Sequence, residues 1–132
     1  MSKATQYYTP GVCNINNVES ASRKKIAYVF FVLALLFILL SILFALSFYS
    51  IIITFPLMFI ASLNYLQAKN NFCVMYAKNN LFNSSEAFAD TEKITDEDAI
   101  RADSQKSQRM YLQSASFAFL LSLAHLLILL SR

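Results

Sequence analysis

One feature dominates the hydrophobic pattern: across residues 26–68 no Asp, Glu, Lys or Arg interrupts the chain. As a single straight helix, about 43 residues would run roughly 64 Å at ~1.5 Å each. That is twice the ~30 Å hydrocarbon core of a bilayer. The run therefore predicts a tight hairpin of two transmembrane helices, about 26–46 and 51–68. The reversal is expected at Ser47-Phe48-Tyr49-Ser50, where two hydroxyls can serve the turn backbone and two aromatic rings can sit at the membrane–water interface. Pro56 predicts a kink, or an end to the first turn, in the second helix. The β-branched run from Ile51 to Thr54 would read as a strand in water. In lipid an isolated strand leaves its backbone groups unpaired, so a helix is expected. A third apolar run, 110–130, is broken only by Gln113, a few serines and His125, and predicts a third span.

The polar stretches divide the rest of the chain into an N-terminal segment, 1–25, and a central segment, 69–109. In the first, Tyr7-Tyr8-Thr9 runs into the turn signal Pro10-Gly11. Asn16 followed by Glu19 reads as a helix N-cap with a reciprocal acid, so the first helix is expected from about Asn17. In the central segment, 70–82 mixes aromatic and apolar residues with Asn and Lys; it can prolong the second helix or lie along the headgroups. Residues 83–98, acidic and rich in Ser and Thr, read as a loop. Thr95 with Asp98 marks a helix start, and no breaker follows before Leu130. Glu97 with Arg101, and Asp103 with Lys106, are favourable helical pairs. One long helix is expected, wet in its first part and spanning in its second.

Composition narrows the class. Hydrophobic residues make up 57% of the 132 residues and charged ones 14%, with one Gly and two Pro. Soluble domains carry about 25% charged residues. Low-complexity disorder and turn-rich β folds are disfavoured, and two Cys cannot make a disulfide scaffold. A net charge of +3, with no basic stretch interleaved with aromatics, points away from nucleic acid. The fold class expected is all-α and integral to the membrane: a tight hairpin plus a third helix with a cytoplasmic extension.

Charge also sets orientation. Lys3, Arg23, Lys24 and Lys25 precede the first span, and Lys69, Lys78, Lys93, Arg101, Lys106 and Arg109 lie between the second and third. Only Arg132 falls on the other side. The positive-inside rule places the N-terminus in the cytoplasm and the C-terminus outside. The first span lies too far along the chain and is too long for a secretory leader, so it is expected to be retained.

Several residues stand out chemically. Ser114, Ala118 and Ser122 repeat at four-residue steps in the third span, as Ser41 and Ala45 do in the first. Such small-residue faces let helices approach closely, whether the partner is this chain, another copy or another protein. Asn64 and Gln67 near the inner end of the second span, with Gln113 of the third, form an expected inner-face polar cluster that hydrogen-bonds between helices. A transport path would use the same groups but commonly adds a buried charge. His125, the one His, can ligate a metal or haem, relay protons, or bond a neighbouring helix. Cys13 and Cys73 both fall on the cytoplasmic side, where a stable disulfide is not expected. They can meet as a redox or metal pair, or pack as half-buried thiols; their spacing matches no zinc signature. No phosphate loop, His-Glu metal helix or nucleophile elbow is present, so neither an enzyme nor a cofactor is expected.

The words Gly11-Val12-Cys13-Asn14-Ile15, then Arg23-Lys24-Lys25 before a span, then Leu66-Gln67-Ala68, Phe72-Cys73 and Phe82-Asn83, run through the first two thirds of the chain. In these the chain resembles a group of small bacterial membrane proteins of unknown function that open with a similar Gly-Val-Cys-Asn-Ile phrase. Asn16 and Asn17 stand where that group carries Gly-Pro. The resemblance implies a bacterial inner-membrane setting and draws Asn14, Gln67 and the two Cys into one inner-face group. The function expected is a structural, regulatory or assembly subunit of a larger membrane complex, or a homo-oligomer. A thiol sensor or metal handler using Cys13 and Cys73 is the alternative, and an oligomeric small-molecule transporter a third. The partners expected are the lipid bilayer and a membrane protein or a second copy.

Overall fold

A computed structural model describes residues 8–131; Lys3, Tyr7 and Arg132 lie outside the described residues. Three helices are long and apolar enough to cross a membrane. Helix α1 (Asn17–Leu43) begins where the Asn16 side chain accepts a hydrogen bond from the Glu19 amide at 2.9 Å. A 3-10 turn over Phe48–Ser50 leads into α2 (Ile51–Lys69), which continues through Pro56 rather than ending there. A short helix α3 (Val74–Lys78) and an antiparallel pair, β1 (Leu81–Asn83) and β2 (Thr91–Lys93), follow. The long helix α4 (Glu97–Leu130) closes the chain as one uninterrupted element, capped by Asp96 rather than Thr95.

Helix α2 packs along both α1 and α4, which touch each other only sparingly. Small residues permit this. On α1, Ser20, Ala27, Ala34 and Ser41 are buried at seven-residue steps, a single narrow seam. On α4 the buried line runs through Ser107, Met110, Ser114, Ala118, Ser122 and His125 at three- or four-residue steps. Ala34, Met58 and Ala118 meet in the middle, flanked by Ile38 and Leu121. A second apolar cluster, Phe72, Val74, Ala77 and Met110, fastens α3 to α4. The outer faces carry exposed Leu, Ile, Val and Phe, as lipid-facing helices do.

The molecule thus has a hairpin end, at residues 44–50, and a basic end, formed by residues 8–25 and 69–109. Helix α1 stops at Leu43, three residues before the expected limit of the span. The reversal is broader than the sequence implied, because Ala45 takes a left-handed conformation (φ 47°) just past the helix. With so little Gly in the chain, Ala45, Asn71, Asn80 and Ala89 supply the positive-φ positions that turns need. Of the two turn serines, Ser47 accepts from the Tyr49 amide, whereas the buried Ser50 hydroxyl has no partner among the described residues. The 83–98 loop is in fact partly ordered as the β1–β2 hairpin, in register Leu81 to Lys93 and Asn83 to Thr91. The second helix is not prolonged past Lys69: Asn71 turns left-handed (φ 48°) and redirects the chain.

Candidate functional site

Two buried polar centres join segments far apart in sequence. The larger is a clasp at the basic end. The Asn14 side chain receives the Cys73 amide on Oδ1 at 2.6 Å and donates from Nδ2 to the Cys73 carbonyl at 3.0 Å. Both residues are fully buried. A primary amide carries an acceptor oxygen and a donor nitrogen side by side, so one Asn answers the backbone N–H and C=O of Cys73 together. Around it, the Asn14 and Ile15 amides donate to the Asn71 carbonyl, and the Asn83 amide donates to the Asn14 carbonyl. Gln67 Oε1 takes the Val74 amide at 3.1 Å, capping the bend into α3.

The rest of the N-terminal segment extends the clasp to the other elements. Asn16 Nδ2 donates to the carbonyls of Ser85 and Ala87, and Asn83 Nδ2 also reaches Ala87. Glu19 does not return to its own cap. It accepts from Tyr76 Oη at 2.6 Å and from the Ala89 amide at 3.1 Å. Asp103 of α4 receives the Gly11 amide at 2.6 Å and Tyr8 Oη at 3.1 Å. Gly11 lies at φ 68°, and a Cβ there would sit 3.3 Å from that of Ala102. Lys106 donates to the Val12 carbonyl at 2.6 Å and rests over the Phe72 ring. Asp103 and Lys106 therefore each turn to the N-terminal segment instead of closing the helical pair read from the sequence.

Burial shapes the electrostatics of this end. It raises the Asp103 carboxyl, against the hydrogen bonds from Gly11 and Tyr8 and the charge of Lys106, which pull it down. Burial lowers Lys106, opposed by Cys13 and Asp103. Tyr8 and Tyr76 are both raised, by burial first and then by the carboxylates of Asp103 and Glu19 they bond.

The two thiols are held differently. Cys73 is fully buried, and Arg23 Nη2 donates to its Sγ at 2.9 Å. Cys13 is half-buried, backbone-paired with Thr9, and close enough to Lys106 and Tyr8 to act on their charges. No disulfide joins them.

The second centre lies at the hairpin end. His125 of α4 sits between Ser41 of α1 and Thr54 of α2, with Nε2 2.6 Å from Ser41 Oγ and Nδ1 3.0 Å from Thr54 Oγ1. Either neutral tautomer satisfies the ring: the Ser41 hydroxyl also faces the Ile38 carbonyl at 2.8 Å and the Thr54 hydroxyl the Ser50 carbonyl at 3.4 Å, so one hydroxyl gives its proton to the ring and the other receives the ring N–H. Both ring nitrogens are thus committed within the chain. Among the described residues no group of three His, Cys, Asp or Glu is placed to hold a metal ion.

The remaining candidates separate. Ser114, Ala118 and Ser122 are buried inside this chain's own bundle; the Ser114 and Ser122 hydroxyls have no partner among the described residues. Ser41 is buried, but Ala45 is exposed and past the helix end, so it does not share the Ser41 seam. Asn64 is buried and donates only to its own helix, at Ile60, while Gln67 serves α3. Gln113 is exposed on α4 and makes no hydrogen bond with either. The inner-face amide cluster is therefore not assembled as Asn64, Gln67 and Gln113; Asn14, Gln67 and Asn83 take that place. The sequence reading missed Thr54, Asp103 and Glu19. A charged or hydroxyl residue with a neighbour in the cap or span carries no local mark of a partner 71 or 92 positions away. Compared with models of protein families, with curated proteins and with solved structures, the chain matches none.

Proposed function

We propose that this chain is a multi-pass membrane protein acting as a structural, regulatory or assembly subunit, held in a larger membrane complex or in a homo-oligomer. The observation that carries the reading is how the buried polar side chains are used. Asn14, Asn16 and Gln67 each bond backbone groups of another segment, and Asp103 accepts from the Gly11 amide and Tyr8 Oη. Such bonds fix a shape and leave no reactive group poised. The result is a rigid cap over three spans, with Val12, Met75 and Phe88 exposed on its surface. In the orientation we propose, a bacterial inner membrane has the cap in the cytoplasm, where Arg23, Lys24, Lys25, Lys69 and Arg109 gather, and the uncharged hairpin end outside.

Purification from native membranes in mild detergent, followed by mass spectrometry, tests this. Stoichiometric protein partners or a defined homo-oligomer are the expected outcome. A monomer accompanied only by lipid would overturn it. One contact favours a second reading, a thiol-based sensor: the Arg23 guanidinium donates to Cys73 Sγ at 2.9 Å. Rapid alkylation of Cys73 in the folded protein at neutral pH would select that reading over the first.

A further inference from the structure

Two adjoining cavities carry an inference that rests on the membrane reading above. Helices α1 and α4 meet at the hairpin end through Ser41 and His125. Nearer the basic end they leave an apolar groove of about 500 Å³, lined by Tyr28 and Phe31 of α1, Ala61 and Tyr65 of α2 and Phe117 of α4. This is within the roughly 300–1,000 Å³ of small-molecule sites. Tyr28, Phe31, Tyr65 and Phe117 are all exposed on one side, so the groove opens laterally out of the bundle.

The second cavity, about 430 Å³, is polar and lined by Asn70, Gln105, Lys106 and Arg109. Gln113 lines both cavities. On α4 the lining positions Lys106, Arg109, Gln113 and Phe117 follow one another at three- or four-residue steps, which keeps them on one helix face. Ser62 and Leu66 of α2, with Asn70 at its C-terminal cap, do the same. The two cavities therefore adjoin at Gln113, with aromatic rings on one side of it and two cations on the other.

Depth and charge identify the occupant. From Arg109 to Leu130, α4 rises roughly 32 Å at ~1.5 Å per residue, against a hydrocarbon core of ~30 Å. Arg109 thus falls at headgroup level and the apolar groove within the acyl region. Arg109 makes no hydrogen bond or ion pair among the described residues. Lys106 is held in place by Val12 and Phe72. The nearest carboxylate on α4, Asp103, is engaged by Gly11 and Tyr8, and no acidic side chain lines the polar cavity. A zwitterionic headgroup would bring its own cation to this pair, whereas an anionic one is complementary to it.

We propose that these adjoining cavities together bind one anionic glycerophospholipid, with its phosphate at Arg109 and Lys106 and an acyl chain along Phe31 and Phe117. The test uses the full chain in nanodiscs, with native mass spectrometry counting retained lipid. Phosphatidylglycerol and phosphatidylcholine with identical acyl chains are the two probes. Selective retention of a single phosphatidylglycerol is expected. Arg109→Gln should weaken it about five-fold, equivalent to the ~1 kcal/mol of one basic residue at an anionic surface, and Arg109→Lys should restore it. Gln113→Trp, at the exposed position where the cavities adjoin, should abolish retention while the protein stays folded by circular dichroism. Equal retention of both lipids overturns the site alone, as does a preference that neither variant changes, or a cross-linked second copy in the groove. Failure to incorporate into either bilayer overturns the membrane reading together with it.

Discussion

Asn14→Ala removes the side chain that pairs with both backbone groups of Cys73 at 2.6 and 3.0 Å. Cys73 is completely buried, so water cannot replace either bond without opening the cap. A buried backbone group left unpaired costs about 1–3 kcal/mol, and two are exposed to that penalty here. The variant should therefore lose roughly 2–6 kcal/mol, concentrated at the junction between the N-terminal segment and the α2–α3 bend. The lower figure already corresponds to roughly a 30-fold rise in the opening equilibrium. The assay is alkylation of Cys73 in detergent, in a Cys13→Ser background so that one thiol reports, alongside thermal unfolding by circular dichroism. Asn64→Ala is the matched control. That amide is also buried, but it donates only to its own helix and its Oδ1 is unpartnered among the described residues, so little change is expected. Alkylation of Cys73 in Asn14→Ala at the unaltered rate, with an unmoved midpoint, would refute the clasp.

Three further outcomes are expected. Ala118→Leu places a larger side chain where Ala34, Met58 and Ala118 are fully closed together; it should cost about 1–3 kcal/mol of stability and leave any oligomer size intact, and an altered oligomer with an unchanged midpoint would put that face outside the bundle. The folded protein holds the Asp103 carboxyl above its ordinary 3.8, so it takes up a proton before the unfolded chain does and stability falls as pH rises through that window. Melting temperatures of the parent and Asp103→Asn from pH 7 to pH 4 should show the parent gaining relative to the variant on acidification; the opposite slope would mean that the Gly11 and Tyr8 hydrogen bonds outweigh burial. A reporter enzyme active only outside the cytoplasm should be silent when inserted near Glu86 and active when fused after the C-terminus, and the reverse would invert the proposed orientation.

Elements with local causes are legible in the chain directly. A charge-free run twice the length of a bilayer has to fold back, and α1 and α2 do so within residues 44–50. Asn16 starts α1 because its side chain reaches an amide three residues on, and α4 runs unbroken because nothing between Glu97 and Leu130 breaks a helix. The stripe of Ser114, Ala118 and Ser122 was visible for the same reason, being a periodicity within one helix. Local causes were less legible where rare backbone conformations intervened. Ala45 and Asn71 adopt positive φ without the Gly that would signal it, so neither the end of α1, nor the width of the turn, nor the bend after Lys69 is legible in the chain.

Which surfaces meet depends on the three-dimensional arrangement of the helices. It buried the small stripe of α4 inside the chain's own bundle. It brought Ser41, Thr54 and His125 together across three helices, and set Asn14 against Cys73, Gly11 against Asp103 and Glu19 against Tyr76. The physical reason is the same in each case. Helix period and capping depend on neighbours a few residues away, whereas a hydrogen bond between distant segments depends on angle, depth and rotation about the helix axis. An amide in a sequence shows that two bonds can be made; the fold determines that both go to Cys73.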